Sequence, residues 1–89
     1  MILQFTHSAQ RDLCRLRDFI AEKNPDAAER ISLRLRKSIQ RLVDLPDVGV
    51  NVAELPGVQD LISGDYIVRY TVLEDTTYIL RIWHGKEDR

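Results

Sequence analysis

Arg69, Arg81, Trp83, His84 and Lys86 are the residues of this chain best equipped to hold or act on a partner, and all five fall in its final third. Guanidinium groups grip phosphate or carboxylate through paired N–H donors, and an indole face attracts cations and stacks on rings. Strand alternation puts Tyr66, Val68, Tyr70 and Val72 on one face of their run, with Ile67, Arg69, Thr71 and Leu73 on the other. In the last run Tyr78, Leu80, Ile82 and His84 oppose Ile79, Arg81 and Trp83. The first row of each run makes the better core face. Arg69, Arg81 and Trp83 are therefore expected on the sheet face turned away from any packed helices, a surface suited to a peptide or a nucleic acid. The plainer reading has the same long side chains merely covering an exposed sheet. Pattern alone leaves both open.

His84 ends the core-facing row, where a lone histidine is more often a structural hydrogen-bonding group than a base. His7 lies at the other end of the chain, and no Cys-x-x-Cys or His-x-x-x-His spacing occurs, so no metal site is expected. No glycine-rich phosphate loop is present, and no cofactor is expected. Cys14, the single cysteine, adjoins an apolar helix face as a small packed residue and excludes an internal disulfide. A second cationic group stands apart from the strands. Arg30, Arg34, Lys37 and Arg41 recur at helical spacing and form a basic stripe, either a solvated face or a seat for an acidic helix or peptide.

The elements that must position these groups are well marked. "MILQF" reads as a first strand, and Thr6 or Ser8 can cap the helix that follows, whose Ala9, Leu13, Leu16 and Ile20 share a face widened by Phe19. Asn24 caps a second helix with Pro25 at its first position; Ala28, Ile31, Leu35, Ile39 and Leu42 carry its apolar stripe to about Leu45, where Pro46 ends it. With almost no loop between them, the helices must form an antiparallel hairpin. "PDVGVNVAELPG" reads as an irregular connection. Beyond it "VQDLIS", "YIVRYTVL" and "TYILRIWH" are strands joined by turns at Gly64-Asp65 and Glu74-Asp75, short enough for antiparallel hairpins. The order β-α-α-β-β-β predicts an α+β domain over residues 1–89, with the helical hairpin on one face of an antiparallel sheet.

Bulk composition agrees. With 89 residues, 44% hydrophobic and 30% charged, the chain has the make-up of one small globular domain. No apolar run approaches the roughly 18–20 residues of a membrane helix, and the N-terminus lacks the basic start of a secretory signal, which predicts a cytoplasmic protein. A formal net charge of −1 conceals an asymmetry. From Arg11 to Asp44 there are nine Lys/Arg against six Asp/Glu; from Leu45 to Arg89 there are four against eight. A basic helical half suits an acidic partner, whereas a nucleic-acid-binding domain would usually be basic overall.

"PDAAERISLRLRKSIQRLVDLP", "LPGVQDLISGDYIVRYTV" and "ILRIWHGKEDR" resemble, in order and spacing, the RelE/ParE superfamily of toxins from bacterial type II toxin–antitoxin pairs. Ala27-Ala28-Glu29-Arg30, Pro56-Gly57 with Asp60-Leu61, Tyr66 with Tyr70, and Trp83-His84-Gly85 carry the resemblance, which spans nearly the whole chain. It implies a helical hairpin against an antiparallel sheet, in agreement with the reading above. It also implies two activities. RelE-like members cut messenger RNA in the ribosome and need cations around the scissile phosphate; ParE-like members inhibit DNA gyrase without covalent chemistry. Ile67 stands where RelE-like toxins resemble one another in an arginine, Glu87 replaces their second basic residue after Gly85-Lys86, and no helix is expected after the last strand.

The resemblance is thus closer to ParE. It implies a cytoplasmic gyrase inhibitor that is not an enzyme, neutralised by a cognate antitoxin, touching DNA only through that antitoxin, and assembling as a homodimer or a toxin–antitoxin hetero-oligomer. Arg81, Trp83, His84, Lys86 and Arg89 are the residues expected to meet the target, and Arg30, Arg34, Lys37, Arg41 and Arg69 the antitoxin. If the RelE-like activity holds, Arg69, Arg81, His84 and Lys86 would carry catalysis. A third possibility is a degenerate member that binds an antitoxin and harms nothing.

Overall fold

The computed structural model describes residues 2–86, the side chain of Lys23 excepted. Strand β1 (Ile2–Phe5) leads into helix α1 (His7–Lys23) and helix α2 (Pro25–Asp44). A short strand β2 (Val50–Asn51) precedes β3 (Val58–Ser63), β4 (Tyr66–Leu73) and β5 (Thr76–His84). The strands form one sheet in the order β1-β5-β4-β3-β2.

Local chemistry sets the helix ends. The Thr6 hydroxyl accepts from the Ala9 N–H at 3.1 Å and so caps α1, one of the two residues expected to do so. Asn24 serves both helices. Its N–H donates to the Ile20 carbonyl at 2.8 Å to close α1, and its side-chain oxygen accepts from the Ala27 N–H at 3.1 Å to open α2. Because one extended residue joins them, the helices fold back on each other and present their apolar stripes to the same side. Ala9 and Leu16 of α1 and Leu35, Ile39 and Leu42 of α2 pack on Tyr66, Val68, Tyr70, Ile79 and Ile82 of the sheet. Burying such side chains contributes roughly 1.5–3 kcal/mol each. Phe19, which the helical pattern placed on the packed face, is instead 52% exposed.

The three long strands pair antiparallel, as the two short turns required. β1 differs: it joins the far side of β5 in parallel, Leu3 opposite Thr77 and Phe5 opposite Ile79, so the sheet is mixed. Strand alternation also breaks in one place. Arg69 pairs with Arg81 but Tyr70 pairs with Ile79, leaving Leu80 as an extra residue in β5. That bulge reverses the face of everything before it. Ile82 and His84 lie in the helix-facing row, as expected, but Thr77 and Ile79 fill the places that unbroken alternation gave to Tyr78 and Leu80, and both are fully buried.

The segment between α2 and β3 is more ordered than its prolines and glycines suggested. The buried Tyr70 hydroxyl donates to the Pro46 carbonyl at 2.8 Å and accepts from the Gly49 N–H at 2.9 Å, pinning the chain to the sheet. Burial raises the Tyr70 pKa despite the opposing hydrogen bond from Gly49, so the hydroxyl keeps the proton it donates. The approach is close enough to require glycine. A Cβ at position 49 would lie 2.5 Å from that hydroxyl oxygen. Beyond this pin, Val50-Asn51 pairs with Asp60 and Gln59 as an edge strand.

Candidate interaction surface

On the sheet face away from the helices, cross-strand rows are set by register. Ile62, Ile67 and Trp83 make one row, and Asp60, Arg69 and Arg81 the next. Arg69 is held by Asp60 in a two-pronged ion pair, Nε to Oδ1 at 2.9 Å and Nη2 to Oδ2 at 3.1 Å. The hydrogen bonding of Arg69 to Asp60 outweighs burial and raises the Arg69 pKa, with smaller contributions from the charges of Asp60 and Glu54. The guanidinium stands 5.0 Å from the centre of the Trp83 ring. Trp83 is only 7% exposed, so the indole is a packed floor rather than an open stacking platform.

Arg81 turns from the sheet face toward α1. Its Nε donates to Asp12 Oδ2 at 2.8 Å and its Nη2 to Asp12 Oδ1 at 3.2 Å. The same carboxylate accepts from the Ile82 N–H at 2.9 Å and from Arg15 Nη2 at 3.2 Å. Asp12 is buried. Burial works to raise its pKa, but the hydrogen bonds from Arg81, Ile82 and Arg15, with the charge of Arg81, prevail and lower it. β1 ends at Phe5, so the second half of β5 has no strand on that side, and α1 takes its place. The Thr6 hydroxyl donates to the Leu80 carbonyl at 2.9 Å, Asp12 accepts from the Ile82 N–H, and Arg15 donates to the Ile82 carbonyl at 3.3 Å. The strand reading missed Asp12, although a carboxylate three residues after Ala9 and four before Leu16 in the apolar stripe of α1 was its signal.

His84 sits at the strand exit with its ring edge-on to Tyr66, centroids 5.1 Å apart, and its Nδ1 accepts from the Lys86 N–H at 3.1 Å. Lys86 is exposed just beyond; Arg89 lies outside the described residues. Arg30, Arg34, Lys37 and Arg41 are all exposed along α2. Arg34 borders a shallow hollow shared with Ser63, Gly64, Asp65 and Tyr66. Arg69, on the opposite face of the sheet, does not join them. On the other flank of α2, Arg17, Ala21, Ala28, Leu33 and Arg36 line an open groove of about 430 Å³ between the helices. Leu33, off the apolar stripe, was its sequence signal. Among the described residues no cluster of His, Cys, Asp or Glu has the make-up of a metal site, and no helix is long and apolar enough to cross a membrane.

A helical hairpin on one face of a mixed five-stranded sheet, with a row of exposed cations along α2, is an architecture of the RelE/ParE kind. Residues 3–89 match the family model described as the ParE toxin of the type II toxin–antitoxin system parDE, and the chain belongs to that family. It is 32% identical over 83 residues to Toxin RelE1 of Caulobacter vibrioides, covering 91% of this chain and 89% of that protein. Toxin RelE2 of the same organism is 32% identical over 81 residues, with 91% of each covered. Among solved structures, a chain of the chromosomal ParDE toxin–antitoxin system from P. aeruginosa superimposes with a TM-score of 0.82 at 24% identity, covering 94% of this chain and 95% of that one. A conserved hypothetical protein of Helicobacter pylori, solved in solution, gives a TM-score of 0.61 at 20% identity over 98% and 97% of the two chains. The protein is thus a type II toxin, and its family implies an antitoxin partner.

Proposed function

We propose that this toxin arrests growth by binding DNA gyrase in the cytoplasm and blocking replication, without cleaving RNA. The observation that carries this reading is the state of the two strand arginines. Arg69 is tied to Asp60 and Arg81 to Asp12, each by paired hydrogen bonds. Phosphoryl-transfer catalysis needs cations directed at the scissile phosphate. Here both guanidiniums serve carboxylates of the fold, and His84 belongs to the other face of the sheet. The antitoxin engages the exposed row Arg30, Arg34, Lys37 and Arg41 and the adjoining helical groove, while Lys86 and the residues after it, with Arg81, Trp83 and His84 behind them, offer a contact to the target.

A second reading has its own support, since both Caulobacter relatives carry the name RelE. It makes the chain a ribosome-dependent endonuclease using Arg69, Arg81, His84 and Lys86. Pulse labelling after induction of the toxin alone separates the two. Gyrase inhibition predicts that thymidine incorporation falls first, with amino-acid incorporation intact, and that purified toxin stops supercoiling. An early fall in amino-acid incorporation with cut messenger RNA, abolished by His84→Ala and Lys86→Ala, would overturn the proposal.

A further inference from the structure

The β2 edge of the sheet has no part in the surfaces above, yet it carries the largest concentration of exposed aliphatic side chains in the described molecule. Leu45, Val48, Val50 and Leu55 are 58%, 53%, 66% and 41% exposed. They lie within eleven residues, on a segment fixed by Tyr70 through Pro46 and Gly49. Pinning Gly49 inward leaves its neighbours Val48 and Val50 facing solvent. The exposed charges on this segment are of one sign: Asp44, Asp47 and Glu54 are exposed, and between Leu42 and Val68 the chain has no lysine or arginine, while Asp60 is already taken up by Arg69. Acidic groups alone would be ordinary protection of a sheet edge. Four exposed aliphatics interleaved with exposed carboxylates on one pinned segment are the reverse of protection, and match an apolar contact surface with charged neighbours.

We propose that this edge docks the toxin on its target protein, against an apolar patch rimmed by lysine and arginine. The proposal rests on the reading above that the target is a protein. A second copy paired edge to edge fits badly, because two such edges would set carboxylate against carboxylate. The basic row of α2 selects a partner of the opposite charge, so the two surfaces sort their partners by sign. The loop is held before binding, so little ordering is needed on contact.

The test compares wild-type toxin with Asp44→Lys/Asp47→Lys/Glu54→Lys and with Val50→Ser/Leu55→Ser in gyrase supercoiling, growth arrest and antitoxin capture. Both variants should lose about tenfold or more in inhibitory potency while keeping antitoxin capture, and wild-type inhibition should weaken between about 50 and about 200 mM salt. Should the multiple variants fail to fold, Asp47→Lys and Val50→Thr carry the same expectation at about threefold each. Variants that fold, capture antitoxin and inhibit within twofold of wild type, a difference of about 0.4 kcal/mol, would overturn it. If wild-type toxin leaves gyrase untouched, the replication reading falls separately. Growth arrest then decides: lost in the variants, the docking surface stands; retained, it does not.

Discussion

Replacing Asp12 with alanine removes a buried carboxylate that ties α1 to β5. The carboxylate accepts from Arg81 twice, from Arg15 and from the Ile82 N–H. Its side chain is 6% exposed, while those of Arg81 and Arg15 are 47% and 45% exposed. The loss is therefore unequal. The arginines can turn to water, so their share is discounted to about 1 kcal/mol. The Ile82 N–H cannot, and an orphaned buried donor costs about 1–3 kcal/mol. The total is about 2–4 kcal/mol, or a fall in Tm of at least about 8 °C for a chain of this size. Urea unfolding followed by circular dichroism measures it. A loss below about 0.5 kcal/mol would refute the reasoning, because it is the scatter of ordinary surface substitutions. The pH dependence adds a second check. The Asp12 pKa is lowered in the folded state. Its stabilisation is therefore complete above the ordinary aspartate value of about 3.9 and disappears as pH falls through the folded value. The gap between wild type and Asp12→Ala should narrow on acidification and stay constant through neutrality.

Three other perturbations test separate parts of the structure. Tyr70→Phe removes the hydroxyl that joins Pro46 to Gly49 and should cost about 1–2 kcal/mol, with faster hydrogen exchange at the Gly49 amide as the local signature. Glu74 has φ 56°, a left-handed conformation that disfavours a side chain, so Glu74→Gly should stabilise by up to about 1 kcal/mol in thermal unfolding. Arg69→Met breaks the pair with Asp60 and uncovers Trp83; stability should fall by about 1–2 kcal/mol and the Trp83 emission should shift to the red, whereas unchanged emission would mean the guanidinium does not cover the ring.

Much of this architecture was legible from residue order. The caps at Thr6 and Asn24, Pro25 at the start of α2, and the turns at Gly64-Asp65 and Glu74-Asp75 are local chemistry, and local chemistry is written where it acts. What escaped was non-local. Nothing in "TYILRIWH" distinguishes a straight strand from one with an extra residue, because every side chain in it suits a strand; only pairing with β4 and β1 reveals that Leu80 is the surplus. The parallel placement of β1 depends likewise on a partner more than seventy residues away. The outer sheet face was read correctly as the place of Arg69 and Trp83, but their occupation was not, since Asp60 and Asp12 had no visible tie to the arginines until the strands were in register. β2 has too few residues to leave a pattern.

The position of β5 has a consequence for the birth of the protein. It lies between β1 and β4, so the first strand made waits for the last, and Thr6, Asp12 and Arg15 wait with it. A ribosome must synthesise residues 76–84 before β1 has any neighbour or the helical hairpin a complete floor. Until then β4 carries a bare edge and the buried carboxylate has nothing to hold. A chain cut short before residue 76 lacks the strand that joins β1 to β4 and any surface that depends on it.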